Sequence, residues 1–77
     1  MKQNLKVKDI LNYIDNDEYV SVKGIDEWNV SIVGNDAYEI EVNFDDYTQV
    51  TISLFRDEYF ESRLEKFTRL VNSFLSK

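Results

Sequence analysis

Seven residues, Tyr38-Glu39-Ile40-Glu41-Val42-Asn43-Phe44, alternate strictly between apolar and polar. Successive side chains of a β-strand point to opposite faces, so this segment offers one face to a core and one to water. A half-buried strand needs neighbours of the same pattern and a layer over its apolar side. Both are present in the chain. Tyr19-Val20-Ser21-Val22-Lys23 puts Val20 and Val22 on one face, and Trp28-Asn29-Val30-Ser31-Ile32 does the same with Trp28, Val30 and Ile32. Val50, Ile52 and Leu54 alternate with Gln49, Thr51 and Ser53. Gly34-Asn35-Asp36 reads as a hairpin turn, because Gly and Asn tolerate positive φ, and Asp45-Asp46-Tyr47 turns the chain again.

The covering layer reads as helical. Val7, Ile10, Leu11 and Ile14 follow the i, i+3, i+4, i+7 rule over about residues 5–15, with Asn4 as cap and Lys6, Lys8, Asp9 and Asn12 facing water. Phe60, Leu64, Phe67, Leu70, Val71, Phe74 and Leu75 form a second stripe over about residues 58–76. Asp57 is its expected cap, Glu58 and Glu61 suit its positive end and Lys77 its negative end. The spacing predicts an α+β fold of one domain over residues 1–77. It is a four-stranded antiparallel meander with a short N-terminal and a longer C-terminal helix on one face, in the order α-β-β-β-β-α. Phe60, Leu64, Phe67, Leu70 and Phe74 are expected to pack on Val30, Ile32, Ile40, Val42 and Ile52.

Charge is distributed unevenly over these elements. From Gly24 to Phe55 there are seven acids, Asp26, Glu27, Asp36, Glu39, Glu41, Asp45 and Asp46, and no lysine or arginine. The basic residues other than Lys23 sit at the two ends, and the formal net charge is −6. A folded acidic sheet repels nucleic acid and attracts basic protein surfaces. Solubility alone accounts for a net charge of this size, but not for its segregation. The expected partner-binding set is therefore Asp26, Glu27, Asp36, Glu39, Glu41, Asp45 and Asp46, with Tyr47 as an aromatic anchor in the turn. Carboxylates spaced along paired strands imitate a nucleic-acid backbone and suit a basic channel built for DNA or RNA.

Other chemistry is poorly supported. The chain has no His and no Cys, which removes imidazole catalysis, thiolate and imidazole metal ligation and disulfides. No EF-hand spacing and no phosphate-cradling glycine loop is present. Glu39 and Glu41 are paired carboxylates, but a glycosidase site also needs a cleft. Arg56, Arg63, Lys66 and Arg69 interleave with Glu58, Glu61 and Glu65, the pattern of a solvated helix face rather than a phosphate track. The expectation is no enzyme activity, no cofactor, no metal and no direct nucleic-acid binding. No apolar run approaches the roughly 18 residues of a membrane span, and the polar start has no signal-peptide core, so a cytoplasmic monomer or weak homodimer is expected.

Val7-Lys8-Asp9-Ile10-Leu11-Asn12-Tyr13-Ile14, followed by Asn16, Tyr19, Val20, Val22 and Gly24, resembles the opening of a small acidic phage-encoded nuclease inhibitor. The family is that of the anti-CRISPR proteins that block type II RNA-guided nucleases. The likeness is a short helix, an Asn-containing turn, a Tyr-Val strand and a glycine, over about a third of the chain. The remainder is similar in size, charge and helix–strands–helix order. Arg56, Arg63, Lys66 and Arg69 depart from the more acidic C-terminal half of that relative, which argues against the last helix as the mimicking surface. The resemblance implies a stoichiometric inhibitor, acting in the host cytoplasm, that occupies the site where the nuclease reads its short duplex motif. Two other classes fit the charge: an immunity protein or antitoxin against a basic toxin, and a cytosolic interaction domain with no inhibitory role.

Overall fold

The computed structural model describes residues 1–76; Lys77, expected at the negative end of the last helix, lies outside them. The elements are α1 (Val7–Asn16), β1 (Ile25–Val33), β2 (Ala37–Phe44), β3 (Gln49–Phe55) and α2 (Phe60–Leu75). The strands form one antiparallel sheet in the order β1-β2-β3. Both helices lie on one face of it, α1 against β1 and α2 against β3 and α1. The fold is α+β with two helices, as the alternation demands, but the sheet has three strands and not four.

The missing strand is Tyr19–Lys23. Val22 is buried as its phase requires, yet it pairs only with Lys2, in an isolated parallel bridge. Lys2 N–H donates to Ser21 O (3.2 Å), and Lys23 N–H to Lys2 O (2.8 Å). The Tyr19 hydroxyl accepts the Trp28 backbone N–H (3.1 Å), and Val20 O accepts the Trp28 indole N–H (2.8 Å). The Tyr19 hydroxyl thus meets the outer edge of β1 where a fourth strand would have paired, and the Val20 carbonyl is taken by the buried Trp28 side chain. Two valines are too short an alternation to specify a ladder against that competition.

Local capping explains the helix ends. Lys6, not Asn4, is the N-cap of α1, and Asp9 reaches back to accept the Lys6 N–H (2.9 Å). Asp9 also meets Lys2 Nζ at 3.2 Å, so it is buried and paired rather than water-facing. α1 ends where Asp17 enters the left-handed region at φ 57. Tyr59, not Asp57, is the N-cap of α2, and it makes no side-chain cap; Asp57 instead accepts the Tyr59 N–H (2.9 Å) in the turn before the helix.

The core joins Leu5, Ile10, Trp28, Ile40, Val42, Leu64, Phe67 and Val71. Phe60, Leu64 and Phe67 are buried as expected, and Phe74 lies half-buried against Phe44 at 5.4 Å between ring centres. Two core expectations fail. Ile32 is 69 % exposed and Leu70 is 47 % exposed. The ten residues of α1 span about 15 Å, whereas the nine of β1 span about 30 Å. The β1–β2 hairpin therefore overhangs the helical layer and takes Ile32 with it. Leu70 sits on the flank of α2 beyond β3, where no further strand covers it.

Arg56 closes the far end of the molecule. Its guanidinium donates to both carboxylate oxygens of Asp15 (2.8 and 2.9 Å) and lies over the rings of Tyr38 and Phe60. The hydrogen bond from Arg56 holds the Asp15 carboxyl below its ordinary value, and the carboxylate in turn raises the guanidinium. Among the described residues no helix is long and apolar enough to cross a membrane.

A candidate protein-binding face on the open side of the sheet

The register fixes which side chains share the uncovered face. Cross-strand rows run Val33–Ala37–Phe55, Ser31–Glu39–Ser53, Asn29–Glu41–Thr51 and Glu27–Asn43–Gln49. The face thus changes character along its length. It is apolar at the β1–β2 hairpin end, carries carboxylates between hydroxyls and amides in the middle, and is rich in amides at the other end.

No carboxylate on this face opposes another directly, which avoids the like-charge penalty of cross-strand pairs. Glu39 and Glu41 stand about 6.7 Å apart along β2, as two strand residues on one face must. Gln49 Nε2 donates to Glu41 Oε1 (2.6 Å), and Asn43 Nδ2 reaches the same oxygen (3.2 Å). Gln49 Nε2 also donates to Asn43 Oδ1 (2.9 Å). This amide pair orients the Glu41 carboxylate and ties the end of β3 to β2.

Beyond the last row the rim adds more acid. The β1–β2 register slips between Ile25 and Glu27, which leaves Asp26 bulged out. Asp45 N–H donates to Gly24 O (3.0 Å), so the β2–β3 turn lies beside the entry to β1. Asp26, Glu27, Asp45 and Asp46 therefore come to one end of the sheet, with Lys23 at the border. Together with Glu39 and Glu41 they make an acidic stripe about 20 Å long down β2. Within it Glu39 and Glu41 are about 6.7 Å apart, twice the roughly 3.4 Å between phosphates along one duplex strand, and the uncharged Asn43 takes the next position on β2.

Tyr47 tops the turn. It is 98 % exposed and holds φ 71, a region that suits Gly or Asn and strains a tyrosine. Asp46 Oδ1 accepts the Thr48 N–H (3.0 Å) and stiffens the turn beneath it.

Of the eight residues expected to bind, seven lie on this stripe or its rim. Asp36 does not. It belongs to the β1–β2 turn at the opposite end, where its carbonyl accepts the Arg56 N–H (3.3 Å). The sequence reading passed over Val33 and Phe55. Phe55 is 63 % exposed on the open face, and its signal was phase, since it falls in register with Thr51 and Ser53 rather than with the core set. Among the described residues no group of three or more acids is arranged to hold a metal ion.

Comparison of the chain with protein-family models, with curated proteins and with solved structures gave no match.

Proposed function

We propose that this chain is a stoichiometric protein inhibitor that lays the open face of its sheet over the basic nucleic-acid channel of a nuclease. The observation that carries the reading is the acidic stripe from Glu39 to Asp46. It stands on a hydrogen-bonded sheet whose open-face rows contain no lysine or arginine. Rigid carboxylates steer a basic partner from a distance and need little ordering on contact. Phe55 and Val33 at one end and Tyr47 at the other supply the apolar and aromatic anchors that carry most of the affinity of such interfaces. The N-terminal resemblance favours a phage-encoded inhibitor of a type II RNA-guided nuclease as the finer identity. No step of bond making is assigned to the chain.

The test is capture from a bacterial lysate on the immobilised chain, beside a Glu39→Lys/Glu41→Lys/Asp45→Lys variant, with mass spectrometry of the bound proteins. The reading expects a nucleic-acid enzyme on the native chain and its loss from the variant. A toxin nuclease in that place makes the chain an immunity protein using the same face. Equal recovery on both columns, or recovery of no nucleic-acid-binding protein, overturns the proposal.

A further inference from the structure

The two edges of the sheet differ. The outer edge of β1 is partly closed, because Trp28 N–H is taken by Tyr19. The outer edge of β3 has no such cover among the described residues. Phe44 N–H donates to Thr48 O (2.8 Å) at one end of the β2–β3 pair, and Arg56 N–H to Asp36 O (3.3 Å) at the other. Alternation between these points turns the backbone groups of Val50, Ile52 and Leu54 toward β2 and those of Gln49, Thr51 and Ser53 outward. Proteins guard free edges with charges, prolines, bulges or short strands. β3 runs seven residues with no charge, no proline, no glycine and an unbroken register.

Beside that edge, on the helical side, lies a shallow apolar groove. Ile52, Leu54, Phe67 and Leu70 form it, and Arg63 and Lys66 stand on its rim. Arg63 meets Asp57 at 3.9 Å and lies over the Tyr59 ring at 5.6 Å, and Lys66 makes no ion pair among the described residues. We propose that the β3 edge accepts an extended acidic segment of a partner protein as a fourth strand. Its backbone pairs with Gln49, Thr51 and Ser53. On its helix-facing phase an apolar side chain enters the groove, and carboxylates on that same phase, two residues to either side, meet Arg63 and Lys66.

The charge of the rim selects this occupant over a second copy of the chain. Two β3 edges paired antiparallel about a two-fold axis bring the two α2 flanks together across the seam. The cationic rims of the two copies, each carrying Arg63 and Lys66, then meet, and like charges at an interface disfavour assembly. An acidic strand relieves the same charges. This surface is distinct from the acidic stripe and opposite to it in sign, so it does not depend on the function proposed above.

The experiment is an amide chemical-shift titration of the full chain with two synthetic peptides. One is acetyl-Thr-Glu-Thr-Ile-Thr-Glu-Thr-amide, whose Glu and Ile side chains share one face, and the other has lysine at every acidic position. The proposal expects saturable shifts in Gln49–Phe55 and along residues 63–70 with the acidic peptide, at about tenfold or more higher affinity than with the lysine peptide. Arg63→Glu/Lys66→Glu should invert that order. Thr51→Pro, which removes one outward N–H, should abolish binding. If that variant does not fold, the charge inversion on the exposed helix flank decides. Three results overturn the proposal: β3 amides unmoved by millimolar acidic peptide, equal binding of the two peptides, or a dimer in sedimentation whose β3 amides are protected from exchange.

Discussion

Asn72 holds the N-terminal segment to α2 by two hydrogen bonds. Its Oδ1 accepts the Leu5 N–H and its Nδ2 donates to Leu5 O, both at 2.9 Å. Leu5 is completely buried, so water does not easily replace either bond. Each bond contributes about 0.5–1.5 kcal/mol net, and a buried backbone group left unpaired costs about 1–3 kcal/mol. Asn72→Ala should therefore destabilise by about 2–4 kcal/mol, a large part of the roughly 5–15 kcal/mol a domain has. Thermal unfolding followed by circular dichroism should show a Tm loss of about 10–25 °C. Asn72→Asp sharpens the test, because the shape is unchanged. The introduced carboxylate keeps an acceptor for Leu5 N–H but sets a second oxygen against Leu5 O. Protonation restores a donor, so its folded pKa lies above its unfolded value near 4. The folded state then binds more protons, and the variant's deficit relative to the native chain grows as pH rises from about 4 through the folded pKa. A variant as stable as the native chain at neutral pH, or a deficit that does not shrink in acid, refutes the role given to Asn72.

The remaining predictions concern the core, the overhang, the clamp and the turn. Phe67→Ala, at a position only 3 % exposed, should cost about 3–5 kcal/mol in urea unfolding, and Ile40→Ala about 2–5 kcal/mol. Ile32→Ala should cost under about 1 kcal/mol, because the hairpin overhang already leaves that side chain in water. Asp15→Asn should lower Tm at neutral pH. Its effect should fade in acid, because a carboxyl held low by Arg56 contributes only while ionised and its share is lost as pH falls through the folded value. Tyr47→Asn should leave stability unchanged or raise it by up to about 1 kcal/mol, since asparagine tolerates the left-handed region, while weakening capture of the partner.

Strict alternation made β2 and β3 readable from the residues, and the 3.6-residue stripes did the same for both helices. The buried Phe60, Leu64 and Phe67 follow directly from that phase. What the sequence could not specify was reach. Val20 and Val22 alternate like a strand, but the Tyr19 hydroxyl and the N-terminal segment around Lys2 compete for the same edge and surroundings. Those contacts cross from residue 2 to residue 22 and leave no local pattern. Ile32 carried the phase of a core residue, and only the difference in length between α1 and β1 exposes it. The acidic stripe was legible as composition, whereas the separation of Asp36 from its companions depends on which turn lies at which end. Phe55 was readable by phase, as an apolar residue on the polar side of its strand.

Competition on the isolated target tests the mimicry most directly. The captured nuclease, labelled and held at fixed concentration, is titrated with a duplex oligonucleotide in the presence and absence of a saturating amount of this chain. The account predicts mutually exclusive binding, with the apparent Kd of the duplex rising in proportion to the chain's concentration. It also predicts that association of chain and target slows steeply as added salt shortens the screening length, about 10 Å at 0.1 M. A ternary complex in which the duplex binds at undiminished affinity contradicts it, and leaves the acidic stripe as a solubility feature.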